Sequence, residues 1–130
     1  MNSAAKPNVL ALVPVATQAR IAQSLAPVVG QISFCSDASE ISHMPKNCAC
    51  FDVLIVPATL LEEESWPTWQ NLWLTNPRQT ILAYTPRADF HMWSSALEQG
   101  CYDLILEPFQ EETLRESVLC AYASTHGFDT

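Results

Sequence analysis

Residues 96–109 have the sequence ALEQGCYDLILEPF and carry the strongest structural signal in the chain. The first four residues suit the end of a helix, and Gly100 suits the left-handed position that follows a helix, where a side chain would clash. Residues 103–106 form an apolar run of buried-strand length. Pro108 ends this strand, and the acidic residues Glu111 and Glu112 suit the positive end of a new helix. The segment therefore predicts a helix, a tight turn, a buried strand and a second helix.

The rest of the chain repeats this alternation of strand and helix. Short apolar runs predict strands at 9–13, 31–35, 51–56 and 80–85, in addition to the strand at 103–106. Helical spacing and capping residues predict helices at 17–25, 38–44, 89–99 and 110–123, and one that begins at Trp66-Pro67, after an acidic loop at 60–65. Strands that are apolar on both faces and alternate with helices indicate a parallel sheet covered on both sides. We therefore predict one α/β domain over residues 1–130, a flavodoxin-like three-layer α/β/α fold with a five-stranded parallel sheet of order 2-1-3-4-5 and five helices.

Composition and charge narrow the possible functions. The chain has 130 residues, of which 48% are hydrophobic and 15% charged, so it can bury a substantial core. Six basic residues against fourteen acidic ones disfavour nucleic-acid binding, which needs Lys and Arg at the phosphates. We expect a cytoplasmic protein with no membrane segment, no cofactor and no metal. The five cysteines include only a lone C-x-C pair, Cys48 and Cys50, which is too few ligands for zinc.

Residues 96–109 resemble, without a gap, the segment ALEAGADDYLTKPF of response-regulator receiver (CheY-like) domains. This resemblance implies the fold just described and a role in two-component and phosphorelay signal transduction. It also implies where chemistry would occur. In the family an acidic pair after the first strand binds Mg²⁺, and an aspartate at the end of the third strand accepts phosphate. A Ser or Thr ends the fourth strand, and a lysine precedes Pro-Phe.

The residues that chemistry needs are missing at these positions. The acidic pair is replaced by Val13 and Pro14, the phosphoacceptor by Pro57 and the lysine by Glu107, while Thr85 keeps its family identity. Valine and proline cannot bind a hard cation or accept a phosphoryl group. The resemblance therefore implies a pseudo-receiver that is not an enzyme. It further implies a cis peptide bond at Pro108, and Leu104 at the position of the usual switch aromatic.

A pseudo-receiver would act by protein–protein interaction. The resemblance implies a contact face made by the predicted fourth helix, fifth strand and fifth helix, for a protein partner or a homodimer. We predict for this face Met92, Ser95, Glu98, Gln99 and Tyr102. The spacing of Trp66, Trp69 and Trp73 favours a core-facing stripe, although three tryptophans on one helix also suggest a partly exposed contact patch. Phe90 and Trp93 are expected in the core.

Two other functions stay open at this point. The chain could be the receiver portion of a longer two-component transcriptional regulator. It could also be a small-molecule-binding flavodoxin-like domain, which would need a polar pocket at the strand ends near Pro14, Pro57 and Thr85.

Overall fold

A computed structural model describes residues 6–36, 51–68, 79–86, 90–107 and 109–126 of the chain. Five strands alternate with four helices in these ranges, and residues 66–68 are also helical. The elements, in chain order, are β1 (Asn8–Leu12), α1 (Val15–Leu25), β2 (Gln31–Cys35), β3 (Val53–Pro57), α2 (Ala58–Leu61), β4 (Thr80–Thr85), α3 (Phe90–Glu98), β5 (Asp103–Leu106) and α4 (Glu111–His126).

The five strands form one parallel sheet in the order β2-β1-β3-β4-β5, as predicted. The register places Val9 of β1 beside Val53 of β3, and Pro57 of β3 beside Tyr84 of β4. At the far edge, Thr85 of β4 lies beside Leu106 of β5. All carboxyl ends therefore lie along one end of the sheet, with β3 in its middle.

Each face of the sheet has its own apolar core, because successive strand residues point to opposite sides. On one face α1 and α4 bury Ile21, Leu25, Leu114 and Val118 against β1, β3, β4 and β5. On the other face α2, Trp66 and α3 pack against the alternate residues of β1, β3 and β4. The structure therefore has the predicted three layers.

Two local features agree with the sequence in detail. Gly100 has φ 98°, a left-handed conformation that disfavours any residue with a Cβ, and it lies two residues after the end of α3. The predicted start of a helix at Trp66 agrees with the helical residues 66–68. The predicted helix at 38–44 lies outside the described residues, as do Trp69, Trp73, Cys48 and Cys50.

The segment after β3 differs from the prediction. An acidic loop was expected from Leu60 onward, but α2 starts immediately after Pro57 and extends to Leu61. Leu60 and Leu61 are buried in the core beside Trp66. Burial of these two leucines stabilises a single helical turn, which is too short to show helical spacing in the sequence.

Candidate functional site

The carboxyl ends of β1 and β3 meet at a cleft, as the sequence predicts for this class of sheet. Val13 and Pro14 follow β1, Pro57 ends β3, and all three line the same open cleft of about 660 Å³. Both prolines lie at the start of a helix, with φ −59° at Pro14 and −67° at Pro57. Proline adopts this φ without strain and needs no hydrogen bond for its nitrogen, so each strand passes directly into the next helix.

The described residues that line this cleft are mainly apolar, and none of them is basic. The lining residues are Leu12, Val13, Pro14, Val15, Ser36, Pro57, Leu60, Glu63 and Tyr84. Its polar side-chain groups are the Ser36 hydroxyl, the Glu63 carboxylate and the Tyr84 hydroxyl. Among these described lining residues, an incoming phosphoryl group would meet a carboxylate and no Lys or Arg, which is electrostatically unfavourable.

Tyr84 closes the inner wall of the cleft. Its side chain is buried and its hydroxyl donates a hydrogen bond of 2.9 Å to the backbone carbonyl of Leu12. Since β3 lies between β1 and β4, the ring crosses the end of β3 beside Pro57 to reach this carbonyl. The Phe109 ring packs edge-on against Tyr84, with 5.5 Å between the ring centroids.

Burial also changes the acid–base behaviour of Tyr84. Loss of hydration raises the pKa of the Tyr84 phenol to about 12, and the nearby Glu107 carboxylate adds to the increase. The neutral phenol therefore persists well above neutral pH and keeps its hydrogen bond to Leu12. Sequence analysis missed Tyr84, although a buried tyrosine needs a hydrogen-bond partner, which is a signal that could have drawn attention to it.

The other two strand-end positions, Thr85 and Glu107, lie apart from the cleft lining. Thr85 is buried, and its carbonyl accepts a 2.9 Å hydrogen bond from the backbone N–H of Glu107. Glu107 is half-buried, and its negative charge contributes to the raised pKa of Tyr84. Leu104 is half-buried and packs against the core on the α3 side. Pro108, where a cis bond was predicted, lies outside the described residues.

Three residues predicted for the contact face are partly or fully covered in the structure. Met92 is half-buried and packs against the core. Trp66 is only 1% exposed, because it fills the core between α2 and α3. Ser95 is half-buried and lines, with Trp66 and Gln99, a small acidic cleft next to Glu62, Glu63 and Glu64.

Glu98, Gln99 and Tyr102 are exposed, as their assignment to a contact face requires. Gln99, which directly follows α3, lines the acidic cleft together with Ser95.

A different side of α3 is apolar and open to solvent. Phe90 is 70% exposed and Trp93 45% exposed, so the expectation that both are core residues is wrong. At 100° per residue, Phe90, Trp93 and Leu97 share one side of the helix, opposite the side that carries Ser95 and Gln99. The two exposed rings contact each other, with 6.1 Å between their centroids.

Strand β5 extends this apolar surface across the edge of the sheet. Ile105 is buried on the α1–α4 side, whereas Leu104 packs on the α3 side. The alternation of strand side chains therefore directs Tyr102, Leu104 and Leu106 to the same side of the sheet as α3. Tyr102 is 41% and Leu106 49% exposed. We refer to Phe90, Trp93, Leu97, Tyr102, Leu104 and Leu106 as the apolar face.

The described residues contain neither a cluster of metal ligands nor a membrane-spanning helix. Within them, no three His, Cys, Asp or Glu side chains converge in a way that could hold a metal ion. None of the described helices combines the length and the apolar character needed to cross a bilayer.

Comparison with known proteins identifies the fold through solved structures. No protein-family model matches the chain, and no curated protein matches it. A response regulator from Thermotoga maritima superposes with a TM-score of 0.71 at 17% identity, over 91% of this chain and 98% of that one. The signal receiver domain of an HD domain-containing protein from Pseudomonas fluorescens gives 0.68 at 18% identity, over 97% and 93%.

A longer protein contains the same fold as one part. NtrX from Brucella abortus gives a TM-score of 0.70 at 16% identity, over 93% of this chain but only 27% of its own. These similarities show that the chain has the fold of a response-regulator receiver domain.

Proposed function

We propose that this chain is an atypical receiver domain that acts in signal transduction through protein–protein contacts, without phosphorylation. The observation that carries the proposal is the composition of the strand ends. Val13, Pro14 and Pro57 line the cleft at the strand ends. The resemblance to receiver domains assigns to them the positions of the carboxylates, and to Glu107 the position of the lysine. A side chain without a nucleophilic or metal-binding oxygen cannot perform either step.

The Tyr84 contact supports a fixed conformation at this site. In a phosphorylation-controlled domain the strand ends must rearrange when a phosphoryl group arrives. Here the buried hydrogen bond from Tyr84 to Leu12, together with the Phe109 packing, joins β1, β4 and the turn after β5 in one arrangement. The surface presented to a partner is then constitutive, and signalling would depend on the presence of the partner.

The apolar face supports a contact function. Large apolar side chains exposed together on a small domain mark interaction sites more often than isolated exposed residues do. Phe90 and Trp93 are aromatic, and aromatic residues contribute strongly to the binding energy of protein interfaces. The receiver portion of a longer regulator is a second candidate, favoured by the 27% share that the fold occupies in NtrX.

Site-specific photo-crosslinking in cells tests the contact function. A benzophenone amino acid at position 93, on the apolar face, should give one discrete covalent adduct on illumination. The matched control carries the same group at Leu119, which is exposed on α4, the helix that packs on the other face of the sheet from α3. Removal of intracellular acetyl phosphate should leave the adduct unchanged. An adduct that needs the phosphodonor, or equal crosslinking from both positions, would contradict the proposal.

A further inference from the structure

We draw no further inference here: the strongest candidate, the apolar face that α3 and β5 expose at the edge of the sheet, carries nothing beyond the proposed contact function because nothing in the structure shows what covers it.

Discussion

Replacing Tyr84 by phenylalanine should lower the free energy of unfolding at neutral pH. It should also reduce the loss of stability that the wild-type chain shows at high pH. The variant keeps the ring that packs on Phe109 but loses the hydroxyl that donates to the Leu12 carbonyl at 2.9 Å. Loss of one buried hydrogen bond should lower the free energy of unfolding at neutral pH by about 1 kcal/mol, and by up to roughly 3 kcal/mol if the carbonyl is left without a donor.

The alkaline effect follows from the raised pKa of Tyr84. The pKa is about 12 in the folded chain and 10.0 for the unperturbed phenol. The folded state therefore holds the proton more tightly, so this contribution to stability is complete below pH 10 and is lost as the pH rises to 12. A difference of about two pKa units corresponds to roughly 2.7 kcal/mol over this window. Phenylalanine has no ionisable proton, so the free energy of unfolding of the variant should not fall in this way between pH 10 and 12.

Urea unfolding of the wild-type chain and the Tyr84→Phe variant, from neutral to alkaline pH, measures both free energies of unfolding. The wild-type chain should be the more stable one at neutral pH. If that difference is about 1 kcal/mol, the two unfolding free energies should cross just below pH 11, where the ionisation loss also reaches about 1 kcal/mol. Ionisation of Cys101, whose pKa is raised to about 12 by burial and by Asp103, occurs in both proteins and cancels in the difference. Parallel stability curves across this range would show that Tyr84 is not buried and bonded as described.

Three other substitutions or treatments test separate parts of the structure. Trp66→Ala should destabilise the fold by about 3–5 kcal/mol in urea unfolding, because it empties a fully buried site, and wild-type stability would place Trp66 at the surface. Gly100→Ala should cost roughly 1–2 kcal/mol because alanine disfavours φ 98°, and a neutral effect would mean that the turn has another conformation. A thiol reagent at mildly alkaline pH should modify exposed Cys120 rapidly and buried Cys101 slowly, as peptide mass mapping can show, and equal rates would contradict the burial of Cys101.

The sheet was predictable from sequence because its signals are local. Apolar runs, most of them followed closely by proline, define the strands, and β2, β4 and β5 begin and end where the sequence predicts. Strand order followed from the α/β alternation and from the resemblance of residues 96–109 to receiver domains. These features do not depend on which side chains meet across the fold.

The contact face was not predictable in the same way. Helical spacing groups Phe90 with Trp93, but it does not show whether that side of α3 meets the core or solvent. The position of α3 beside the edge strand β5 leaves these rings exposed, while Trp66 is covered by α2 and α3. The Tyr84 contact joins residues 72 positions apart, so no local pattern reveals it.

Phosphorylation provides the decisive measurement for a receiver fold without receiver chemistry. The chain is incubated with acetyl phosphate and Mg²⁺, beside a receiver domain that carries the phosphoacceptor aspartate, and the intact mass of both is recorded. The control should gain the mass of one phosphoryl group, and this chain should gain none because Val13, Pro14 and Pro57 offer no carboxylate. A Mg²⁺-dependent phosphoryl adduct on this chain would contradict the assignment of these strand-end positions.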